Sequence, residues 1–287
     1  MNHVVTKPMT PLRTSSGRLE VHQVPAWQDN LIWLLVAKET GEAAIIDGPE
    51  AGPVIAACAA HGFEVTTIFN THTHGDHIGV NRDLAGRGML DRLEVVGPAG
   101  AQADVPGITR PVGEGDTVHF AGAEGRVMLT EGHIDGHVSY LFDDVLFCGD
   151  TLFGAGCGYL FDGPPEKMYR SLSRLRELPP ETHVCCAHEY TQDNLRFAWT
   201  VEPENAALAG RIQHTWPIRA TGASVVPSTI GLERDTNPFM RFDAPALRRH
   251  VAGDDADALS DAAIFARTRA LKDTKRYREL GDTRAST

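Results

Sequence analysis

The stretch Thr71-His-Thr-His-Gly-Asp-His77 decides the fold class of this chain more than any other part of it. Within six positions it places four potential metal ligands: His72, His74, Asp76 and His77. On an extended segment the two imidazoles at i and i+2 leave the same face, and the glycine lets the backbone turn before the last two ligands. The stretch is therefore predicted to be a short loop that serves two adjacent metal ions.

Composition and charge limit the partners of the chain. Its 287 residues are 42% hydrophobic and carry a formal net charge of −11, which argues against a nucleic acid or an anionic membrane as partner. No run approaches the roughly 20 apolar residues of a membrane span, and the first twenty positions lack a secretory signal. The five cysteines are odd in number and irregularly spaced, which favours a reducing compartment. We expect a cytoplasmic protein, and a monomer.

Short apolar runs bounded by Gly, Asp or Asn predict strands. They cover 31–37, 43–46, 67–69, 93–96, 126–129, 138–142, 145–148 and 184–187. Apolar spacing of three and four residues predicts helices over 53–61, 164–178, 191–201, 205–214 and 257–271. The change in pattern near 188–191 predicts a mixed domain over 19–188 and a helical domain over 189–287. Residues 1–18 contain three basic residues and no acid, and we expect them to be a disordered leader.

Three further potential ligands follow predicted strands directly. His133 comes after the run ending at 129, Asp150 after the run ending at 148, and His188 after the run ending at 187. Strand ends present polar side chains at the edge of a rigid sheet, so these residues are predicted to join the first four. The predicted ligand set contains five histidines and two aspartates: His72, His74, Asp76, His77, His133, Asp150 and His188.

Imidazoles and carboxylates suit zinc, iron or manganese, and the absence of a thiolate argues against a purely structural zinc. If Asp150 bridges, each ion has three terminal ligands: His72, His74 and His133 for one, and Asp76, His77 and His188 for the other. A hydroxide between ions roughly 3.5–4 Å apart would supply the nucleophile. We predict a catalytic centre of two divalent ions, with zinc favoured and with Asp76 and Asp150 as catalytic residues. His137 is expected to support the site.

From about residue 19 onward the chain resembles the hydroxyacylglutathione hydrolases, the glyoxalase II branch of the metallo-β-lactamase superfamily. The resemblance rests on the opening heptapeptide and on six further motifs. These are Phe147-Cys-Gly-Asp-Thr-Leu-Phe153, Gly156-Cys-Gly158, Ala187-His-Glu-Tyr-Thr191, Pro227-Ser-Thr-Ile230, Asn237-Pro-Phe-Met-Arg241 and Arg269-Ala-Leu-Lys-Asp273. The last three lie in the predicted helical region, which most other members of the superfamily lack.

The resemblance implies an α+β fold, a four-layer αβ/βα sandwich with a small C-terminal all-helical domain. It implies that a bridging hydroxide hydrolyses S-D-lactoylglutathione to D-lactate and glutathione, and that the seven ligands match the family's metal ligands. A thiolate is a good leaving group, so little acid assistance is needed. The positions that match the family's substrate contacts are Tyr159, Phe161, Tyr190, Arg269 and Lys272.

Two positions depart from the family pattern. Tyr159 stands where a Lys or Arg is usual, and Phe161 where some members have Tyr, so weaker glutathione binding or a shifted substrate is expected. A solvated, charged helix face would explain Arg269 and Lys272 almost as well as substrate binding does. The principal alternative function is hydrolysis of another thioester or a lactone without glutathione. Nucleases, β-lactamases, persulfide dioxygenases and a non-catalytic metal or thiol binder share parts of the pattern.

Overall fold

Two β-sheets packed face to face form the centre of the protein in the computed structural model, which describes residues 3–279. The first sheet has seven strands in chain order. They are β1 (Leu12–Arg13), β2 (Leu19–Ala26), β3 (Asn30–Ala37), β4 (Glu42–Ile46), β5 (Glu64–Phe69), β6 (Glu94–Pro98) and β7 (Arg110–Val112). Strands β1 to β4 are antiparallel neighbours, whereas β4 to β7 run parallel. Helix α1 (Gly52–His61) connects β4 to β5, and α2 (Gly75–Gly86) connects β5 to β6.

The second sheet contains six strands in the order β15-β14-β11-β10-β9-β8. They are β8 (Thr117–Phe120), β9 (Ala123–Leu129), β10 (Val138–Phe142), β11 (Val145–Gly149), β14 (His183–Cys186) and β15 (Ser228–Thr229). A small separate ribbon pairs β12 (Leu152–Phe153) with β13 (Gly156–Cys157). The remaining helices are α3 (Pro165–Arg176), α4 (Thr191–Val201), α5 (Ala206–Ala220), α6 (Ile230–Thr236), α7 (Pro245–Ala252) and α8 (Asp261–Asp273).

Strand β3 explains why the layers stack as they do, because all eight of its residues are buried. Trp33 and Leu35 face the core between the sheets, while Ile32 and Leu34 face a second core beneath α1 and α2. Alternate residues of a strand point to opposite faces, so a strand that is apolar from Leu31 to Ala37 needs cover on both sides. Helix α3 covers the outer face of the second sheet, where its Arg174 donates to a carbonyl at the end of β9. The four-layer αβ/βα sandwich is confirmed.

All eight predicted strands and all five predicted helices are present, most of them with shifted ends, but α2 was not predicted. Only 71–74 is loop, since α2 begins at Gly75 and carries Asp76 and His77 in its first turn. The region after 188 also differs from the prediction because it contributes β15 to the second sheet. Helix α5 continues through Pro217 to Ala220, and α6 and α7 were not predicted. None of the described helices is long and apolar enough to cross a membrane.

The prediction of a disordered leader over 1–18 is wrong for residues 3–18. Val5 is 7% exposed and joins the core between the sheets. The backbone N–H groups of Thr6 and Lys7 donate to the Gly222 carbonyl, and β1 pairs with β2. The contacts of Thr6 and Lys7 with Gly222 join residues far apart in the sequence, so local composition could not reveal them. Residues 1–2 and 280–287, which belong to the predicted leader and helical domain, lie outside the described range.

Candidate metal centre and substrate cleft

The seven predicted ligands converge on one edge of the sandwich. The heptapeptide follows β5 of the first sheet, whereas His133, Asp150 and His188 follow β9, β11 and β14 of the second. Five of the seven side chains are buried; His74 and Asp76 are partly exposed. The strand ends therefore bring together residues that are up to 116 positions apart in the sequence, as the spacing of polar residues after apolar runs predicted.

Asp150 lies between two groups of these side chains. Its Oδ2 is 3.3 Å from His133 Nε2, and its Oδ1 is 3.4 Å from both His77 Nε2 and His188 Nε2. His74 Nδ1 lies 3.1 Å from His72 Nε2 and 3.0 Å from His133 Nε2. On the other side, Asp76 Oδ2 is 3.4 Å from His188 Nε2. The two carboxylate oxygens of one residue thus face two separate sets of three side chains.

The outer nitrogens of four histidines are fixed as proton donors. His77 Nδ1 lies 2.9 Å from Asp47 Oδ2, and His188 Nδ1 lies 2.9 Å from Asp29 Oδ1. His133 Nδ1 is 2.7 Å from the Tyr159 carbonyl oxygen, and His72 Nδ1 is 3.0 Å from the Thr71 hydroxyl. Because each Nδ1 carries the proton, each Nε2 presents its lone pair to the centre of the cluster.

Asp47, Asp29 and Asn30 support the cluster, and the sequence analysis missed all three. Asp47 accepts from the Thr71 N–H at 2.8 Å and the Thr71 hydroxyl at 2.6 Å besides facing His77. Asn30, the first residue of β3, donates to Asp76 Oδ2 at 3.0 Å. Asp47 directly follows β4, so its position after a strand was the available signal. Asp29 and Asn30 had no such signal.

His137 supports the centre from behind. Its Nε2 accepts from the Asp150 backbone N–H at 3.2 Å, and its Nδ1 lies 3.1 Å from the Thr130 hydroxyl and 3.2 Å from the Thr151 hydroxyl. Both ring nitrogens therefore have protein partners, and the side chain is fully buried. This geometry holds the backbone of Asp150 and agrees with the supporting role expected for His137.

The inner atoms of the cluster fit a pair of cations. His77 Nε2 and Asp150 Oδ1 are buried, face each other, and have no hydrogen-bond partner among the described residues. Burial alone would raise the pKa of Asp150, but the facing imidazoles of His188 and His77 hold it well below its usual range. Imidazole nitrogens and carboxylate oxygens that converge on one point form a site that divalent ions would satisfy, and such ions would replace the imidazolium protons of His188 and His77.

A cleft of about 480 Å³ extends from the metal centre between the sheets and the C-terminal helices. Four of the five predicted substrate contacts line it: Tyr159, Tyr190, Arg269 and Lys272. The Tyr190 ring stacks on His188, with 4.9 Å between ring centroids. Phe161 does not line the cleft. It packs edge-on against His74 and His133 at the mouth of the centre, with 60% of its surface exposed.

The two basic residues of α8 are buried, which contradicts the alternative of a solvated helix face. Arg269 is 5% exposed and Lys272 8% exposed. Arg269 donates to Asp273 and to the Cys157 carbonyl, and Lys272 donates to the Asn194 side chain. Burial, followed by the charge of Arg269, lowers the pKa of Lys272 to about 7. A second buried cation beside the Arg269–Asp273 ion pair is costly, and an anionic ligand in the cleft would offset that cost.

Two family models match the chain, and the boundary between them falls directly after His188, two residues beyond the end of β14. A model described as "Metallo-beta-lactamase superfamily" matches residues 28–188, and one described as "Hydroxyacylglutathione hydrolase C-terminus" matches residues 189–275. Among solved structures, ETHE1 from Myxococcus xanthus aligns with a TM-score of 0.57 at 22% identity, covering 96% of this chain and 95% of that one. The BLEG-1 B3 metallo-beta-lactamase aligns with a TM-score of 0.54 at 22% identity, covering 77% and 99%. These two similarities concern the fold.

Curated relatives match over nearly their whole length. A hydroxyacylglutathione hydrolase of Synechococcus sp. is 47% identical over 258 residues, which is 89% of this chain and 99% of the relative. That of Methylococcus capsulatus is 44% identical, covering 90% and 99%. The fold implies a dinuclear divalent metal site, and the His/Asp cluster provides its side chains. The chain belongs to the hydroxyacylglutathione hydrolase family of the metallo-β-lactamase superfamily.

Proposed function

We propose that the protein hydrolyses S-D-lactoylglutathione and related 2-hydroxyacylglutathiones to glutathione and the free hydroxy acid. The observation that carries this proposal is the position of Asp150, whose two oxygens address two sets of three side chains beside the cleft lined by Arg269 and Lys272. A centre for two ions thus adjoins a cationic binding cleft. A thioester substrate needs the first for hydrolysis of its carbonyl group and the second for binding an anionic glutathione moiety. The names of the relatives support glutathione as that handle.

The proposed ligands of one ion are His72, His74 and His133, those of the other are Asp76, His77 and His188, and Asp150 is shared. Divalent ions bound there would supply Lewis acidity toward the thioester carbonyl and would lower the pKa of water. We infer zinc because imidazole and carboxylate donors without thiolate suit a catalytic zinc, although the same donors accept iron and manganese.

The chain's own residues orient the reacting groups. Asn30 donates to Asp76 Oδ2 and turns that carboxylate toward His188. Burial and the charge of Asp29 raise the pKa of Tyr190, so its phenol stays protonated and can donate to the substrate. Arg269 and Lys272 provide charge for a glutathione carboxylate. The departing thiolate is a good leaving group and needs little protonation.

The cellular setting is part of the proposal. A net charge of −11 gives no field for nucleic acid or anionic membranes, and the five cysteines are buried and unpaired, as a reducing compartment permits. We therefore infer a cytoplasmic enzyme whose partner is a small glutathione thioester, acting as a monomer. The monomeric state is tested by light scattering of the purified protein.

A substrate panel tests the proposed activity. The protein is assayed with S-D-lactoylglutathione, with the D-lactoyl thioester of N-acetylcysteamine, and with an aliphatic lactone, on one preparation. The proposal expects kcat/KM for the glutathione thioester to exceed that of the other two by at least about tenfold, the effect of one charge-assisted contact. Equal kcat/KM for both thioesters would reject glutathione as the handle, and faster turnover of the lactone would replace the function by the alternative one.

A further inference from the structure

The segment of residues 3–9 is bound to both halves of the molecule. The Thr6 N–H donates to the Gly222 carbonyl, in the turn after α5, at 2.9 Å. The Met9 N–H donates to the Gln23 side chain of β2 at 3.1 Å. Because these partners belong to the helical region and to the first sheet, the segment follows a fixed path across their junction.

His3 lies at the end of this path, in the wall of the cleft that extends from the metal centre. Its Nδ1 donates to the Glu189 carbonyl oxygen at 3.1 Å. Glu189 is itself 1% exposed, and its carboxylate accepts from the Val225 N–H at 2.9 Å. The hydrogen-bond partner of His3 is thus a buried, well-fixed residue that directly precedes Tyr190.

The His3 ring also packs against the Tyr190 ring, edge to face. The ring centroids are 5.5 Å apart, and the ring planes meet at 88°. Two further rings contact Tyr190: His188 stacks on it at 4.9 Å, and Phe153 meets it edge-on at 5.4 Å. Aromatic pairs in these geometries attract each other beyond the burial of their surface. Among residues 3–279, His3 therefore provides one of three ring contacts that fix the Tyr190 side chain.

The orientation of the Tyr190 ring decides where its phenol hydroxyl lies. The side chain lines the cleft and is partly exposed there, and its hydroxyl is the group proposed to donate to the substrate. Hydrogen bonds weaken steeply when the donor turns away from the acceptor. Contacts that fix the ring therefore also fix the direction in which the hydroxyl donates.

We propose that His3 is a positioning residue, which holds the Tyr190 ring so that the phenol hydroxyl meets the substrate. The N-terminal segment is then part of the substrate site, although the matched family models begin only at residue 28. This inference rests on the proposed function, because it concerns a contact with the same substrate. A misplaced hydroxyl weakens the binding of substrate and transition state alike, so KM rises while kcat stays nearly unchanged.

Replacing His3 by Ala removes both the ring contact and the hydrogen bond to Glu189. We expect KM for S-D-lactoylglutathione to rise about three- to tenfold, with kcat within about twofold. His3→Phe keeps a ring beside Tyr190 and should keep KM within about twofold of the wild-type value. The matched control is Lys7→Ala, which removes an exposed side chain of the same segment and should leave KM unchanged. An unchanged KM in His3→Ala, or an equal rise in His3→Phe or Lys7→Ala, would overturn the proposal.

A double-mutant cycle with Tyr190→Phe separates positioning from a merely structural role. Tyr190→Phe keeps the ring and removes the hydroxyl, so adding His3→Ala in that background should change KM by less than about 1.5-fold. Equal rises in KM with and without the hydroxyl would show that His3 acts by another route. If the wild type does not hydrolyse S-D-lactoylglutathione, the proposed function and this inference fail together, whereas an active wild type with equal rises rejects only the role of His3.

Discussion

Replacing Asp47 by Asn should weaken metal binding although Asp47 is not a proposed ligand. The carboxylate is 3% exposed and accepts from the Thr71 N–H, the Thr71 hydroxyl and His77 Nδ1. An amide has only one accepting oxygen, and its NH₂ group would face either Thr71 or His77. If it faces His77, Nδ1 must accept, and the proton moves to Nε2. That nitrogen would then no longer have a lone pair for a metal.

The size of the effect follows from these contacts. Loss of an outer hydrogen-bond partner of a metal-bound histidine costs about 10- to 100-fold in metal affinity. His77 belongs to the set that also contains Asp76 and His188. We therefore expect the loss of affinity at the ion that this set would hold. The ion held by His72, His74 and His133 should keep its affinity to within about threefold. The wrong hydrogen-bond pattern also costs about 1–3 kcal/mol of stability.

The assay is a competitive metal titration of the metal-free protein with a chromophoric chelator, which separates two dissociation constants. We expect one constant to increase about 10- to 100-fold in Asp47→Asn. The control is Asp143→Asn, which removes an exposed carboxylate that accepts a hydrogen bond from Ser16, and both constants should stay at the wild-type values. Two unchanged constants in Asp47→Asn would refute the assigned His77 tautomer, as would an equal loss at both ions.

Four further outcomes are expected. Tyr159→Arg should lower KM for the glutathione thioester about two- to fivefold with little change in kcat, and an unchanged KM would remove this exposed position from the substrate site. Asp150→Ala should abolish activity and metal binding together; two metals per chain in that variant would disprove the bridging role. The Lys272 pKa is lowered to about 7, and only its protonated form attracts a carboxylate, so kcat/KM should fall as pH rises through about 7. If kcat/KM of the Lys272→Arg variant falls over the same pH range, a group other than Lys272 causes the fall. Val5→Asp should lower the free energy of unfolding by about 2–4 kcal/mol in urea, because Val5 is buried; a change below about 0.5 kcal/mol would mean that residues 3–18 do not support the core.

Local sequence patterns were sufficient to predict the strands at the centre of the fold. Strand β3 could be predicted because its seven consecutive apolar residues, Leu31 to Ala37, are expected to need cover on both faces of a sheet. Strand β2 was missed, since His22, Gln23 and Pro25 interrupt its apolar alternation, and only its pairing with β3 over eight residues reveals it. The stability of β2 comes from its pairing with another strand, so the residues of the segment alone do not predict it.

The residues of the candidate site also fall into those that could be predicted from the sequence and those that could not. Residues that follow apolar runs, such as His133 and Asp150, could be found because a strand end is visible in the sequence. Asp29 lies in the turn between β2 and β3 and reaches His188 only after the two sheets pack together. Asn30 begins β3 and reaches Asp76 only once α2 has packed against the first sheet. The burial of Arg269 likewise depends on α8 packing near β13, which the charged neighbours along the sequence conceal.

The central claim is a two-metal thioester hydrolase, and a single titration tests it most directly. Zinc is added stepwise to the metal-free protein while bound metal per chain and kcat/KM for S-D-lactoylglutathione are measured in the same samples. We predict that activity is complete at two ions per chain, with kcat/KM in the range of about 10⁴–10⁸ M⁻¹s⁻¹. Full activity at one ion per chain, or no turnover with two ions bound, would contradict the claim.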